Sequence, residues 1–163
     1  MKINFVTLAH DDDGGLIMAA RYAAEEAEIR ARIDTLVTAI HTMDLDVVKE
    51  IFAQDVVSFD IAPPLRHVGA AAKWQNWQDV FTAYQRPIGY EIHDLTVTVG
   101  DDVAFAYSLN RISGTLRNGI RSDHWVRWTG CFQKLDGTWL ITHDQVSVPL
   151  DMASGKALLD LQP

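Results

Sequence analysis

DLDVVKEIFAQDVVSFDIAPP, residues 44–64, carries the signals from which the fold can be read. Asp44 stands just ahead of Leu45, Val48, Ile51 and Phe52, an inward-facing set at helical spacing. An aspartate there can accept the backbone N–H groups that the first turn of a helix leaves open, so it reads as the N-cap of a short helix. From Val56 to Ile61 the pattern turns apolar and β-branched, which predicts a strand, and Pro63-Pro64 ends it. That strand holds one carboxylate, Asp60, between Phe59 and Ile61. A carboxylate in apolar surroundings has a raised pKa and can act as a proton-transfer base. The alternative is a strand-end residue that bonds backbone N–H groups before Pro63.

Working outward toward the N-terminus, Ile29, Ile33, Leu36, Val37 and Ile40 fall on one helical face, with Glu25, Glu28, Arg32 and Asp34 opposite. The spacing predicts a helix over 18–42. Residues 1–17 are read as an arm of the mature chain, not a signal peptide, because no small-residue cleavage site precedes the acidic run. Asp11 to Asp13 with Gly14 lack the spacing of an EF-hand and read as a solvated turn. Working outward the other way, a third helix is expected from Gly69 to just before Pro87. Trp74, Trp77, Phe81 and Tyr84 share one side of it, either as core packing or as the wall of a ligand cavity.

After Pro87 the period changes from helix to strand. Tyr90 and Ile92 alternate, then Leu95, Val97 and Val99 alternate in the opposite phase, the mark of a β-bulge. Gly100-Asp101-Asp102, Asn118-Gly119 and Asp136-Gly137 are turn signals. They divide the chain into strands over 88–99, 103–116, 121–134 and 139–148, a meander. Helices segregated from an antiparallel sheet make an α+β domain over 18–150, with a C-terminal tail over 151–163.

Composition sets the limits on partners. A chain of 163 residues with 48% hydrophobic content can enclose a core as one domain. Net charge of -8 argues against sequence-independent binding to nucleic acid or an anionic membrane surface, both of which need a basic face. No run approaches the roughly 18 apolar residues of a membrane span. Cys131 is the single cysteine, so no internal disulfide can form, which fits a reducing cytoplasm. No metal constellation, phosphate loop or nucleophile elbow stands out, and the reading calls for no metal and no cofactor.

Alternation along the strands selects candidate site residues. Val103, Phe105, Tyr107, Leu109 and Arg111 form the bulky set of their strand and are expected to face the helices, with Arg111 either binding an anionic group or pairing with a structural acid. In the next strand His124, Val126, Trp128 and Phe132 are expected inward. Asp123, Trp125, Arg127, Thr129 and Gln133 are expected outward, as a subunit contact. In the last strand both alternating sets are mixed, so His143 and Asp144 are both candidates and neither face is assigned. Neighbours on a strand point to opposite faces, so a His–Asp pair must form across strands, for example His124 with Asp60.

With these elements in order, the chain resembles the nuclear transport factor 2-like superfamily, and within it the SnoaL-like and ketosteroid-isomerase-like proteins. The likeness spans about residues 20–150. It rests on MDLDVVKEIFAQDVVSFD, on Val68-Gly69-Ala70 at the entry to the third helix, and on KLDGTWLITHDQVSVP near the end. The run from His124 through Val148 also resembles the association-domain branch of that superfamily. The resemblance implies a cone-shaped curved antiparallel sheet, three helices over a deep pocket, and a homodimer. It also implies three functional residues of the isomerases: an Asp base, which falls on Asp60, and two oxyanion donors, whose positions fall near Leu36 and Trp128. Leu36 cannot donate; the Trp128 indole can.

Two functions follow as expectations. One is a metal-free isomerase, dehydratase or cyclase that acts on a small, largely apolar or weakly anionic molecule. Asp60 and His124 would be its catalytic groups, and Trp74, Tyr107, Arg111, Trp128 and His143 would contact substrate. The other is a non-catalytic module that binds a ligand or assembles subunits.

Overall fold

The computed structural model describes residues 12–163. Helix α1 spans Asp12–Thr42. It starts upstream of the expected residue 18, so residues 12–17 are helical, including the end of the acidic run read as a turn. The remainder of the expected arm lies outside the described residues. Ile29, Ile33, Leu36 and Ile40 are buried, as their spacing predicts. Met43, at positive φ, ends the helix. Asp44 then caps α2, Leu45–Lys49: its Oδ1 accepts from the backbone N–H groups of Asp46 at 3.1 Å and Val47 at 3.2 Å. A cap of this kind is worth about 1 kcal/mol.

Strand β1 covers Phe52–Phe59, earlier than the expected 56–61, because Ile51, Phe52 and Ala53 are already drawn into the core. Asp60 therefore sits just past the strand end. β2, His67–Val68, pairs antiparallel with β1 and is too short for any periodicity to reveal it. Helix α3 spans Ala70–Ala83 and is entered through Gly69 at φ 81°, a conformation that favours glycine.

The four long strands lie close to their expected spans: β3 Gly89–Val99, β4 Val103–Thr115, β5 Arg121–Leu135 and β6 Thr138–Ser147. With β1 and β2 they form one six-stranded sheet of order β2-β1-β6-β5-β4-β3. Every pair in it is antiparallel except β1 with β6, which run parallel. The sheet is thus curved, unclosed and mostly antiparallel, with one parallel join where the meander returns beside the first strand. In the C-terminal tail β7, Leu150–Asp151, and β8, Lys156–Ala157, form a small separate hairpin.

Two bulges decide which side chains face the helices. The register of β3 against β4 slips between His93 and Thr96, with Asp94 at φ 55°, where the phase change predicts it. In β6 the register slips again: Cys131 pairs with His143, but Phe132 pairs with Ile141. The extra residue reverses the phase, so Trp139 and Ile141 are buried on one side of the slip and Asp144 on the other. This explains why both alternating sets of that strand look mixed in sequence.

The facing of β4 is the reverse of the expectation. Ala104, Ala106, Ser108 and Asn110 are buried, whereas Val103, Phe105 and Tyr107 are exposed. The reason lies in the cross-strand partners. Ser108 stands beside Trp128 and Ala104 beside Phe132, so small residues on β4 leave room for the large rings of β5. Gly130 serves the same end: a Cβ there would lie 2.5 Å from the Trp128 ring. On β5 the expected facing holds, with Val126, Trp128 and Phe132 buried. No helix among the described residues is long and apolar enough to cross a membrane.

Candidate functional site

The helices cover the inner face of the sheet incompletely and leave a cavity of about 230 Å³. Leu36 and Ile40 of α1, Trp77 and Val80 of α3, and Val126 and Trp128 of β5 supply apolar wall. Polar groups enter at a few points: Asp60, Lys73, Asn76, Tyr84, Tyr90, His124 and Asp144. Such a sparse polar set on an oily wall is the usual make-up of a small-molecule site.

Asp60 is reached from two elements. Asn76 of α3 donates its Nδ2 to Asp60 Oδ2 at 2.8 Å, and the Ala62 backbone N–H approaches Oδ1 at 3.4 Å. Asp60 thus lines the cavity and also takes a local backbone contact.

Deeper in, Lys73 donates to Asp144 Oδ2 at 2.7 Å and to Ser58 Oγ at 2.9 Å. Both members of this ion pair are almost fully enclosed, with side chains 1% and 3% exposed. The ammonium also lies 5.1 Å from the Phe52 ring and 5.7 Å from the Trp77 ring, within the range of cation–π attraction. Asp144 Oδ1 and the Trp77 indole nitrogen are buried with no hydrogen-bond partner among the described residues.

Tyr90 is buried on β3, and its hydroxyl accepts from Asn110 Nδ2 at 2.8 Å. Asn110 is oriented in turn by Ser108, whose hydroxyl donates to its Oδ1 at 2.7 Å. Burial pushes the phenol pKa well above its ordinary value; the Asn110 bond opposes this in part, while the charges of Asp144 and Asp60 add to it. The phenol is therefore held protonated, with its O–H available as a donor.

His124 lines the cavity from β5, its Nδ1 3.2 Å from Ser122 Oγ. The Tyr84 hydroxyl donates to the same Ser122 oxygen at 3.1 Å. Burial lowers the His124 pKa, and Asp123 offsets part of that. A depressed pKa means that the unfolded chain binds the proton more tightly than the fold does. Stability should therefore be unaffected by this group well above about pH 6.5 and fall as pH drops toward the folded-state pKa. Urea titrations of wild type and His124→Asn across that window check it; an identical acid slope in the two proteins would count against it.

The other candidates from the sequence lie elsewhere. Trp74 is on α3 but turned away from the cavity, with Lys49 Nζ 5.8 Å from its ring. Tyr107 and Arg111 are on the outer face, a consequence of the reversed facing of β4. Arg111 donates to Asp123 at 2.8 and 2.7 Å and lies 3.4 Å from Glu91, the structural pairing that was its alternative reading. His143 stands outside the cavity, with its Nδ1 2.7 Å from the Val57 carbonyl and its ring edge-on to Phe59. It ties β6 to β1. His124 and Asp60 share the cavity, and no hydrogen bond joins them among the described residues. Sequence reasoning passed over Lys73, Asn76 and Tyr90. A usable signal existed for the first two: Lys73 lies four residues before the inward Trp77, and Asn76 lies three after Lys73 and four before Val80, so the spacing puts them along one side of the helix.

Among the described residues no cluster of His, Cys, Asp and Glu could hold a metal ion. A family model described as SnoaL-like domain matches residues 29–151. A nuclear transport factor 2-like protein of Pseudomonas putida is 30% identical, with a TM-score of 0.80 over 86% of this chain and 98% of that one. A ketosteroid isomerase-like protein of Erwinia carotovora is 22% identical, with a TM-score of 0.65 over 74% of this chain and 93% of that one. A nuclear transport factor 2-like protein with a cystatin-like fold from Novosphingobium aromaticivorans is 17% identical, with a TM-score of 0.70 over 90% and 96% of the two chains. No curated protein matches this sequence.

Proposed function

The chain belongs to the SnoaL-like family of the nuclear transport factor 2-like superfamily, and from that membership we propose that its cavity binds a small, largely apolar molecule and moves a proton on it, with Asp60 as the base. The observation that carries this reading is the meeting of two complementary groups on one apolar wall. Asp60 offers a carboxylate steadied by Asn76, and Tyr90 offers a phenol O–H kept protonated by burial. Asp60 would take a proton from carbon, and Tyr90 would donate to the atom on which negative charge collects. In this arrangement the donor that Leu36 cannot supply comes from β3 instead. His124, neutral and hydrogen-bonded, lies at the same wall to orient the substrate.

Nitrobenzisoxazole tests the reading without knowledge of the natural substrate. A base removes its ring C–H proton, the N–O bond breaks, and a coloured cyanophenolate results. Saturable turnover above that of acetate in solution is expected from wild type and not from Asp60→Asn. Equal rates in the two proteins would remove Asp60 from the mechanism.

The outer face of the sheet supports a second part of the proposal, that the protein is a homodimer. Phe105 and Tyr107 are 44% and 48% exposed there, on the face that also carries Trp125. Exposed rings on one open sheet face are the usual core of a subunit contact. Light scattering at micromolar concentration should give twice the chain mass, and a monomer would refute this part alone.

A further inference from the structure

We propose that the cavity selects a neutral ligand bearing a hydroxyl or N–H donor, and that this donor seats on Asp144 Oδ1. The inference rests on the cavity being a binding site, and narrows what it binds. Asp144 lines the cavity and is almost fully buried, yet only one of its carboxylate oxygens is used. Lys73 occupies Oδ2 at 2.7 Å and spends a second proton on Ser58 at 2.9 Å. Oδ1 is left without a partner among the described residues. Buried carboxylate oxygens are strong acceptors and are rarely left unused. A donor brought by the ligand would complete the shell.

Charge decides the second half of the statement. Lys73 and Asp144 neutralise one another, and Asp60, on the same wall, has no cation partner among the described residues. His124 adds no reliable positive charge, because burial disfavours its protonation. Arg111, the residue that sequence reading offered to an anion, is on the other face and already bound by Asp123 and Glu91. An anionic ligand would meet a net negative chamber with no free cation among the described residues, so the expectation of a weakly anionic substrate gives way to a neutral one.

Naphthol, methylnaphthalene and naphthoate test this, since they share a ring system and differ only in the group presented. Methylnaphthalene has more apolar surface than naphthol, so apolar burial alone favours it. A preference for naphthol can come only from a polar contact. Calorimetry or fluorescence titration of wild type should find naphthol bound about tenfold or more tightly than methylnaphthalene, the effect of a hydrogen bond to a charged group, and naphthoate unbound. In the double variant Lys73→Met with Asp144→Leu, folding being checked by circular dichroism, methylnaphthalene should still bind and the preference for naphthol should vanish. Equal binding of the two neutral probes by wild type overturns this inference and leaves the cavity reading standing. Survival of the preference in the folded double variant also overturns it. Exclusion of both neutral probes overturns the inference together with the cavity reading.

Discussion

Replacing Lys73 with methionine should destabilise the fold by about 3–5 kcal/mol, because it leaves the Asp144 carboxylate buried without its counter-ion. Asp144→Leu should cost a similar amount, since it strands the ammonium under α3 with only Ser58 as an acceptor. The double variant should be far more stable than the sum of the two losses implies. Two charges removed together take their desolvation cost with them, and methionine and leucine can refill the space among Phe52 and Trp77. Urea unfolding of the four proteins gives the coupling directly as a double-mutant cycle. Simple additivity would mean that the two groups do not depend on each other, and that the pair does not hold α3 to β6.

The architecture was legible because its signals are local and repeated. The N-cap at Asp44, the four-strand meander cut by glycine turns, and the phase slip before Leu95 each depend on residues close in the chain. The site was less legible because its decisive facts depend on what lies across a strand or under a helix. Tyr107 and Arg111 look inward by bulk, yet the inner face of β4 had to be small where Trp128 and Phe132 stand beside it. A bulge at Thr142 scrambles β6, so nothing local distinguishes inward Asp144 from outward His143. Lys73 is buried against every compositional expectation for lysine. Only the carboxylate on the neighbouring strand makes that position tolerable, and the pairing spans 71 residues of sequence. Asp60 stands out in sequence by type and neighbourhood, but the amide that bonds it, Asn76, comes from a different element.

Asp60→Asn should lower turnover of nitrobenzisoxazole by about 10²–10⁴-fold, the range lost with a positioned general base. Asparagine keeps the size of the side chain, but its own amide cannot accept a proton at neutral pH. Asn76 can re-pair with it by turning its carboxamide, so stability should change little. Tyr90→Phe asks a different question. If the phenol donates to the oxygen released when the N–O bond breaks, its loss should cost about 10²–10³-fold in kcat, as for other single oxyanion donors. This variant carries a stability cost as well, about 1–3 kcal/mol, because Asn110 Nδ2 is left buried without its acceptor. Stopped-flow rates at saturating probe, taken well below the unfolding midpoint, keep the two effects apart. Losses in both variants would assign the base to the residue just past β1 and the donor to β3. A loss in Asp60→Asn alone would leave a base in an apolar chamber without electrophilic help, a weaker catalyst suited to substrates whose leaving oxygen is already stabilised. An unaltered Asp60→Asn rate beside a slowed Tyr90→Phe would move the base to the only other carboxylate on the cavity wall among the described residues, Asp144.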